Sequence, residues 1–361
     1  MDERITEKLK LSIVLLNYQG NPVVYRCLES IFNSSYSNYE LVFVDNNSDD
    51  GSYEESVKLI GHKENVKIIR NSSNLGFTRG YDIGVKNSVG EYVLLLNNDT
   101  VIYPDALAEL VKFMDENPNV GLAEGRIENI DDGIHTFSDP RIANFFGVLV
   151  EAGEHVTDPE NFSNINRIFS PVGVWPIIRK EVYERVGGYD NDYLHTEEIR
   201  DLAARVWIFG YEVGYVFSAI TIHVGRLTQV KENYGNKLAV ELYYHATKNQ
   251  LMFFFKNFST STIIKFYFPY ISWKSADLAY TLIKLGRKAF YTKIEAYRWV
   301  MANLPQIMTK RKYINDHRIK SDKIVMQTLV KTDRNQLIKL ISLRKKYDQK
   351  TEKWIKVHSG Q

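Results

Sequence analysis

The chemically most informative motif is Asn97-Asn98-Asp99, which directly follows the apolar run Tyr92–Leu96. A short, continuous apolar run predicts a strand that is buried on both faces of a sheet. Open α/β sheets bind their ligands at the carboxyl ends of the strands, where this motif lies. Because Mg²⁺ needs only one or two carboxylates when substrate phosphates supply other ligands, Asp99 predicts a site for a metal-bound diphosphate.

Two earlier apolar runs end in polar residues in the same way. The run Leu11–Leu16 precedes Asn17-Tyr18, and the run Leu41–Val44 precedes the loop Asp45–Ser52. The three runs are therefore interpreted as neighbouring strands of one sheet. Since ligands of such sheets bind at the carboxyl ends of the strands, three polar strand ends are expected at one edge.

The segments between these runs have the spacing of amphipathic helices. Val24, Leu28 and Ile31 recur at helical spacing, and Ser52-Tyr53-Glu54-Glu55 is typical of a capping box at the start of a helix. This alternation of strand and helix over residues 10–125 predicts a mainly parallel sheet with right-handed crossovers.

Beyond this region the pattern first weakens and then returns. Residues 123–171 show no clear period, which is typical of binding loops. Regular structure is predicted again at Val172–Arg179, in a helix over Lys180–Val186, in a helix over Glu198–Phe209 and in a strand over Val213–Ile222. After residue 237 the chain is expected to be mostly helical.

Together with Glu197–Arg205 and His223, the strand-end motifs resemble those of the family 2 glycosyltransferases, which are inverting enzymes of the GT-A fold. The resemblance covers roughly residues 10–255. It implies an α/β fold of GT-A type, with a Rossmann-like, mainly parallel sheet flanked by helices. It also implies a catalytic domain at residues 1–255 that binds a nucleotide sugar, followed at residues 256–361 by a basic, mostly helical region.

The resemblance implies a metal cofactor, Mg²⁺ or Mn²⁺, with Asp99 as one ligand. His223 follows the apolar segment Ala219–Ile222, at the place where this family has the histidine that completes the metal site. A neutral imidazole is a suitable second ligand, although a histidine after an apolar strand also fits a structural role. The family often carries a second acid in the motif of Asp99, and this sequence has none.

The resemblance assigns a further set of residues to the nucleotide-sugar donor. Asp45 and the loop after it correspond to the element that reads a uracil-like base, and Arg79 in the loop Asn74–Gly80 corresponds to a phosphate contact. The full set is Asn17, Tyr18, Asp45, Asn47, Asn74, Gly76, Arg79, Asn97, Asn98, Arg226 and Lys248. For Arg226 and Lys248, a solvated surface charge is an equally good interpretation.

An inverting transfer needs a carboxylate that removes the proton of the acceptor hydroxyl. The segment Glu197–Arg205 resembles the acidic pair of the family, but one extra residue before Asp201 leaves the register open. We choose Glu198 as the general base, with Glu197 as the alternative. Asp201 and Arg205 are expected to support it as an ion pair, since they lie four residues apart on a predicted helix.

Charge divides the sequence into two unlike parts. Residues 1–230 carry 20 basic and 35 acidic residues, whereas residues 231–361 carry 26 basic and 9 acidic residues. The second part favours an anionic membrane surface as a partner, because each Lys or Arg near such a surface contributes about 1 kcal/mol. A solvated basic helical face explains the same composition.

The basic region also contains an aromatic segment. Phe266, Tyr270 and Trp273 are spaced so that a helix brings them to one face, provided that Pro269 only kinks the helix. We expect this face to bind at the headgroup level of an anionic membrane. The alternative is a helical subdomain that packs on the catalytic core or on a second subunit.

The sequence also bears on location. Cys27 is the only cysteine, which excludes an internal disulfide and fits a reducing cytoplasm. No uncharged stretch reaches the ~18 residues of a membrane span, and the charged start Met1–Arg4 predicts no signal peptide. We expect a cytoplasmic protein that is peripheral on the inner face of the membrane, and we leave a homo-oligomer open.

The leading hypothesis is an inverting glycosyltransferase that moves a sugar from a UDP- or dTDP-type donor to a hydroxyl of a lipid-linked or polysaccharide acceptor, by a metal-assisted single displacement. A sugar-1-phosphate nucleotidyltransferase is disfavoured, because Asn17–Asn21 lacks the basic, glycine-rich phosphate loop of that class. A non-catalytic polyanion- or membrane-binding protein is the other alternative. The clustered aromatic residues favour a membrane over a nucleic acid as its partner.

Overall fold

The computed structural model describes residues 9–131, 134–138, 155–156, 163–194, 196–224 and 243–327. The chain divides into two compact units. The first consists of residues 1–141, 152–194 and 198–225, and the second of residues 142–151, 195–197 and 226–361. The first unit thus ends 30 residues before the domain boundary expected at residue 255, and that boundary stays a prediction.

The first unit is built on one sheet. Its strands are β1 (Leu11–Asn17), β2 (Tyr39–Asp45), β3 (Val66–Arg70), β4 (Tyr92–Asn97), β5 (Thr100–Ile102), β6 (Val120–Asp131), β7 (Ile134–Ser138), β8 (His155–Val156), β9 (Ile177–Arg179) and β10 (Glu212–His223). They lie in the order β3-β2-β1-β4-β9-β6-β10-β5, with β7 beside β6 and β8 beside β7.

Helices alternate with these strands, which confirms the expected α/β architecture. They are α1 (Val23–Phe32), α2 (Ser52–Ile60), α3 (Phe77–Lys86), α4 (Ala106–Glu116), α5 (Lys180–Arg185) and α6 (Glu198–Ile208). The predicted spacing is visible in α1, where Val24, Leu28 and Ile31 lie in the same core as the strand residues Ile13 and Leu15. Each fully buried aliphatic side chain of this kind contributes about 1.5–3 kcal/mol.

The parallel part of the sheet positions the predicted site. Strand β1 pairs in parallel with both β2 and β4, in a register that sets Asn17 opposite Asp45 and Leu16 opposite Asn97. The carboxyl ends of the three strands therefore meet at one edge, as their polar termini predict. Beyond β4 the sheet is mixed, because β9 runs antiparallel between β4 and β6, and β5 runs antiparallel to β10.

The interpretation of residues 123–171 as irregular is wrong at its start, because β6 continues to Asp131 and pairs with β10. Two buried residues, Glu124 and Gly125, mask the strand pattern. A Cβ at Gly125 would lie 2.3 Å from the ring of Trp175, so the close packing of this ring requires glycine. Conversely, only the last three residues of the predicted regular segment 172–179 form a strand.

The second unit is mostly helical from residue 243 to residue 327. Residues 243–257 form α7, which is followed by α8 (Thr260–Tyr280), a π-helical turn at Thr281–Leu285, α9 (Gly286–Ala302), α10 (Leu304–Asp316) and α11 (Asp322–Gln327). Helix α8 continues through Pro269. Within the described residues, no helix combines the length and the apolarity that a membrane span requires.

Tyr270 corrects the expectation for the aromatic face of α8. Its side chain is only 1% exposed, and its ring stacks on Phe254 with the centroids 4.0 Å apart. Its hydroxyl donates a hydrogen bond to the carbonyl of Gln250 at 3.1 Å. Phe266 and Trp273 on the same face are half-buried. This face therefore packs within the second unit, as in the alternative of a helical subdomain, and Tyr270 is not available to lipid headgroups.

Replacing Tyr270 with serine is expected to lower the free energy of unfolding by about 3 kcal/mol, because a buried aromatic ring is lost and a cavity remains. Urea unfolding measures the loss. The matched control is Tyr267→Ser on the same helix, where the side chain is 43% exposed and the expected change is below about 0.5 kcal/mol. Equal losses in the two variants would contradict the inward packing of Tyr270.

Candidate active site

The side chain of Asn17 joins the ends of β1, β2 and β4. Its amide nitrogen lies 2.8 Å from Asp45 Oδ1, 3.0 Å from Ser52 Oγ and 3.2 Å from Ser48 Oγ. Its carbonyl oxygen accepts a hydrogen bond from Asn98 Nδ2 at 2.9 Å. We call these five residues the strand-end network. Three predicted site residues, Asn17, Asp45 and Asn98, are thus brought into direct contact.

Asp45 is wholly buried, and both of its oxygens have protein partners. Ser48 donates its hydroxyl to Oδ1 at 2.6 Å and its backbone N–H to Oδ2 at 2.9 Å. Arg70 Nε lies 3.7 Å from Oδ2. The carboxylate therefore shapes the loop after β2, where Asn47 is exposed. Tyr18 is exposed directly after the end of β1. A role of Asp45 in reading a base stays a prediction.

Asn46 connects the two loops that the sequence assigns to the donor, and sequence analysis did not single it out. Its Nδ2 donates to the carbonyl of Gly76 at 3.0 Å, and its Oδ1 accepts from Asn71 Nδ2 at 2.8 Å. In the second loop, the N–H of Gly76 donates to Asn74 Oδ1 at 2.9 Å, and Arg79 is exposed on the first turn of α3. Gly76 adopts a φ of 81°, which favours glycine.

The turn formed by Asn97, Asn98 and Asp99 is held by helix α3. Tyr81 on this helix is buried and donates its hydroxyl to Asn97 Oδ1 at 3.0 Å. Burial raises the pKa of Tyr81 well above its usual value, and the negative charges of Asp99 and Glu198 act in the same direction. The hydroxyl of Tyr81 is therefore near both the predicted metal ligand and the predicted base.

Strands β5 and β10 bring Asp99 and His223 together. Their antiparallel pairing sets His223 opposite Thr100, and His223 Nε2 lies 3.3 Å from Asp99 Oδ2. Burial lowers the pKa of His223, but the hydrogen bond and the charge of Asp99 outweigh burial, so that the net direction is upward.

The donor set of Asp99 and His223 fits a divalent metal ion that shares its site with a phosphate. A carboxylate and an imidazole suit Mn²⁺ and Mg²⁺ when phosphate oxygens and waters supply the remaining ligands. In the part of the chain that the structure describes, no cluster of three or more His, Cys, Asp or Glu side chains forms a complete protein cage. The pair therefore fits a shared site.

Aromatic rings join α3 to the segment that follows α5. Phe77 contacts Tyr81 and Tyr189, with centroids 4.7 Å and 5.9 Å apart, and Tyr183 contacts Tyr189 at 6.0 Å. Asp82 on α3 accepts the hydrogen bond of the Tyr183 hydroxyl. Edge-to-face pairs of this kind contribute about 0.5–1.5 kcal/mol beyond their burial. Sequence analysis did not predict this cluster, because its members are far apart along the chain.

Helix α6 begins at Glu198, whose side chain is half-buried. The ion pair expected on this helix is present: Asp201 Oδ2 lies 2.8 Å from Arg205 Nη2 and 3.0 Å from Arg205 Nε, and both side chains are buried. Arg205 also donates to the carbonyls of Val186 and Gly188 at 2.6 Å and 2.7 Å. Asp201 and Arg205 thus fix the turn between α5 and α6.

Comparison with known proteins identifies the family of this chain. Residues 12–187 match the family model described as glycosyl transferase family 2. This part of the chain belongs to the family. The protein is therefore a glycosyltransferase, in agreement with the resemblance of its strand-end motifs to those of family 2 glycosyltransferases.

The curated relatives include glycosyltransferases and a polysaccharide synthase. An uncharacterized glycosyltransferase of Haemophilus influenzae is 23% identical over 238 residues, which cover 64% of this chain and 74% of the relative. A poly-beta-1,6-N-acetyl-D-glucosamine synthase of Staphylococcus epidermidis is 25% identical over 207 residues, which cover 57% of this chain and 47% of the relative. The chain therefore matches about half the length of that synthase.

Solved structures of glycosyltransferases share the fold. TarS 1-349 of S. aureus in complex with UDP-GlcNAc aligns with a TM-score of 0.56 at 14% identity, over 88% of this chain and 91% of that chain. GalNAc-T7 with UDP, GalNAc and Mn²⁺ aligns with a TM-score of 0.51 at 17% identity, over 77% of this chain and 58% of that chain. These likenesses confirm the predicted GT-A type of fold.

Residues Thr196 and Glu197 of this glycosyltransferase belong to the second unit and have an unusual backbone. Their φ angles are 64° and 66°, in the left-handed region that a β-branched residue such as threonine rarely adopts. A conformation of this kind costs about 1–3 kcal/mol per residue and is concentrated at functional sites. Asn249 supports it, because its Nδ2 donates to the carbonyl of Thr196 at 2.9 Å.

The two predicted basic ligands are placed differently. Lys248 is buried in the second unit, with its ammonium group 4.6 Å from the centre of the Trp299 ring. The structure thus gives Lys248 an aromatic partner and does not support the interpretation of a solvated surface charge. Arg226 lies outside the described residues.

Sequence analysis did not predict a role for Glu124, a buried residue near the site. Its Oε1 accepts backbone N–H bonds from Val174 at 2.9 Å and Trp175 at 3.0 Å, and its Oε2 accepts one from Val172 at 2.6 Å. The same loop borders the end of β4, because the N–H of Asn97 donates to the carbonyl of Val174 at 3.0 Å. Glu124 therefore holds the loop that contacts the strand-end turn.

Burial raises the pKa of Glu124 to about 7, and the backbone N–H donors of residues 172–175 oppose this rise. A glutamate in the unfolded chain has a pKa near 4.3. On acidification, Glu124 therefore binds its proton at a higher pH in the folded protein than in the unfolded chain. The stability of the parent protein should therefore fall by about 3 kcal/mol, relative to Glu124→Gln, as the pH rises from about 4 through about 7.

Urea unfolding of the parent and of Glu124→Gln at pH 5 and at pH 8 measures this difference. The exposed Glu64→Gln variant is the matched control, and its difference from the parent should not change between the two pH values. A pH-independent difference for Glu124→Gln would contradict the raised pKa.

Proposed function

We propose that this glycosyltransferase transfers a sugar from a UDP- or dTDP-type donor to a hydroxyl of a lipid-linked or polysaccharide acceptor, with inversion at the anomeric carbon. The observation that carries the proposal is the contact of 3.3 Å between Asp99 and His223. It lies at the strand ends of an α/β sheet, where Asn98 is bonded to Asn17. A divalent metal site at such an edge suits a nucleoside diphosphate.

The relatives support the donor class and the kind of acceptor. The TarS structure contains UDP-GlcNAc, and the GalNAc-T7 structure contains UDP and Mn²⁺. The relative from Staphylococcus epidermidis is named as the synthase of a polymer of N-acetyl-D-glucosamine. We therefore favour a uridine or thymidine nucleotide and a glycan or glycan-lipid acceptor for this chain.

Asp99 and His223 are the proposed ligands of Mg²⁺ or Mn²⁺. When bound, the metal ion neutralises the negative charge that the diphosphate gains as the sugar departs. Other residues hold the turn that precedes Asp99: the Asn17 carbonyl accepts a hydrogen bond from Asn98, and the Tyr81 hydroxyl donates one to Asn97. Preorganised groups stabilise developing charge without the cost of reorganisation.

Glu198 is the proposed general base. It opens α6, is half-buried, and its charge adds to burial in raising the pKa values of Tyr81 and Tyr189. Partial burial makes a carboxylate a better proton acceptor. As the acceptor oxygen attacks the anomeric carbon, the new glycosidic bond forms and the bond from the anomeric carbon to the phosphate oxygen breaks. Glu198 takes the hydroxyl proton. Glu197 is the alternative base.

The remaining donor contacts are proposed at the two loops beside the sheet edge. Asp45 acts through the loop that it shapes, and the other contacts proposed at this edge are Asn17, Tyr18, Asn47, Asn74, Gly76, Arg79, Asn97 and Asn98. Arg226, which lies outside the described residues, and Lys248, which is buried in the second unit, stay proposed phosphate contacts on the family resemblance alone. Asn46 joins the two loops, since its side chain bonds to Gly76. We therefore propose that the base and the phosphates are read by one connected surface.

We also propose a cytoplasmic location at the inner face of a membrane that carries the acceptor. The support is the excess of basic over acidic residues in residues 231–361, 26 against 9. Positive charge of this amount attracts an enzyme to anionic lipids.

The metal proposal predicts that Asp99→Ala abolishes sugar transfer and donor hydrolysis while the melting midpoint stays close to that of the parent. EDTA should have the same effect on the parent protein, and added Mn²⁺ should reverse it, because the diphosphate then regains its counter-charge. The matched control is Asp316→Ala in the second unit, which should keep full turnover. Full activity of the parent in EDTA would overturn the metal proposal.

The base proposal predicts that Glu198→Gln loses roughly 10²- to 10⁴-fold in turnover while it binds the donor as tightly as the parent does. Donor titration followed by single-turnover transfer separates the two effects. The paired variant Glu197→Gln should retain most of its turnover. If Glu197→Gln is inactive and Glu198→Gln is active, the base is Glu197.

The donor proposal predicts that UDP or dTDP with Mn²⁺ raises the melting midpoint more than GDP with Mn²⁺ does. A ligand stabilises the folded state according to its affinity, by about 2.7 kcal/mol at a concentration of 100 times Kd. Thermal unfolding with each nucleotide at one concentration is the measurement. Equal shifts with all three nucleotides would contradict the preference for uridine or thymidine donors.

A further inference from the structure

Helix α8 has a second face, opposite the buried face of Tyr270, that exposes large apolar side chains. Ile264 is 70% exposed, Phe268 is 78% exposed, and Ile283 in the π-helical turn is 76% exposed. The three are separated by 4 and 15 residues, about one and about four helical turns, so they lie along one side of the helix. We call Ile264, Phe268 and Ile283 the apolar row.

No charged side chain interrupts the apolar row. The exposed positions between Phe268 and Ile283 on this side are Ser272, Ser275, Ala279 and Leu282, of which the apolar Leu282 is 43% exposed. At 1.5 Å per residue the row is about 30 Å long. Isolated exposed apolar residues are common on protein surfaces, whereas several large ones on one side of a helix suggest a binding surface.

The exposed charges around the apolar row are mostly positive. Lys265, Lys284, Arg287 and Lys288 are exposed. Between residues 260 and 294, all of which the structure describes, the only acidic residue is Asp277, and its carboxylate lies 2.6 Å from the ammonium group of Lys293. The next acidic residue, Glu295, is exposed on α9, and its carboxylate lies 2.6 Å from Arg298 Nη1. The surface therefore combines apolar side chains with an excess of cations.

We propose that this face of the second unit docks on anionic lipid headgroups. Ile264, Phe268 and Ile283 enter the boundary between headgroups and acyl chains, while Lys265, Lys284, Arg287 and Lys288 contact the headgroup phosphates. Stable attachment to a membrane usually requires two such signals, apolar burial and positive charge. The proposal deepens the membrane part of the proposed function, and lipid binding itself does not depend on sugar transfer.

The charges and the apolar side chains of this face favour a lipid surface over a second copy of the chain or a nucleic acid. In a symmetric dimer the same patch of each copy faces its equivalent, so the four cations of both copies would gather at one interface. The nearby exposed acid, Glu295, already pairs with Arg298 at 2.6 Å. A nucleic acid would satisfy the cations but leave the apolar row in water. An anionic bilayer satisfies both parts of the surface.

Vesicle flotation of the full-length protein, without donor, tests the proposal. The protein should float with phosphatidylcholine vesicles that contain 30 mol% phosphatidylglycerol and remain at the bottom with pure phosphatidylcholine. Removing one surface cation should lower the partition coefficient about fivefold. The triple variant Lys284→Glu, Arg287→Glu and Lys288→Glu should therefore lose more than about 100-fold. Lys312→Glu, which changes a lysine outside the surface, should lose less than the single variant Lys284→Glu does.

The apolar row is tested by Ile264→Ser, Phe268→Ser and Ile283→Ser in one chain. High salt screens the charges, so the binding that remains at 0.5 M NaCl reports apolar burial. This remainder should disappear in the triple variant and persist in the matched control Ile319→Ser with Ile324→Ser, whose side chains are exposed elsewhere in the second unit. Tryptophan fluorescence at rising urea checks that each variant is folded.

Equal flotation with neutral and anionic vesicles would overturn the proposal, as would equal losses in the row variant and its control. A change in mass from dimer to monomer in the row variant, with lipid binding intact, would assign the face to a second copy. Binding of a DNA duplex that depends on the cations but not on the row would assign it to nucleic acid. The shift of the melting midpoint with nucleotide tests donor binding separately from lipid binding, and these variants should not alter that shift.

Discussion

One buried amide holds the ends of three parallel strands together. The side-chain nitrogen of Asn17 donates a hydrogen bond to Asp45 on β2, and its side-chain oxygen accepts one from Asn98 after β4. Neither Asn17 nor Asp45 is exposed, so water cannot replace a lost partner, and an unpaired buried group costs about 1–3 kcal/mol or more when it is charged. Both residues before Asp99 are thus held, Asn98 by Asn17 and Asn97 by Tyr81. The position of the proposed metal ligand follows from these contacts.

The loops that border this edge are held by buried charges. Glu124 accepts hydrogen bonds from backbone N–H groups of residues 172–175. Arg205 donates hydrogen bonds to the carbonyls of Val186 and Gly188 and forms an ion pair with Asp201. Removing one partner of a buried ion pair such as Asp201 and Arg205 costs about 3–5 kcal/mol, so this contact resists local opening. Irregular backbone can then border a reactive site and still keep a defined geometry.

Much of this arrangement could be predicted from sequence, because it depends on local pattern. Apolar runs that end in Asn17, Asp45 and Asn97 predict strands whose ends meet, and the four-residue spacing of Asp201 and Arg205 predicts their ion pair. Contacts between distant segments could not be predicted in this way. Glu124 interrupts a strand pattern with a charge, and its partners lie about 50 residues further along the chain. The burial of Asn46 and Tyr81 also depends on such distant contacts.

The error at α8 has the same physical origin. Helical spacing correctly grouped Phe266, Tyr270 and Trp273 on one face, but spacing does not say which face is covered. The stacking of Tyr270 on Phe254 decides this, and it depends on α7. The exposed face of α8 is therefore the one that carries Ile264 and Phe268.

The central claim is that the strand ends bind a nucleoside diphosphate through a metal ion. It is tested most directly by growing crystals with UDP and Mn²⁺ and measuring anomalous scattering at the manganese edge. A metal ion held by Asp99 and His223 should give one strong peak within about 2.0–2.3 Å of both Asp99 Oδ2 and His223 Nε2, values typical of oxygen and nitrogen ligands, with the diphosphate beside it. A nucleotide bound elsewhere, or a manganese peak that contacts neither residue, would rule out this metal site.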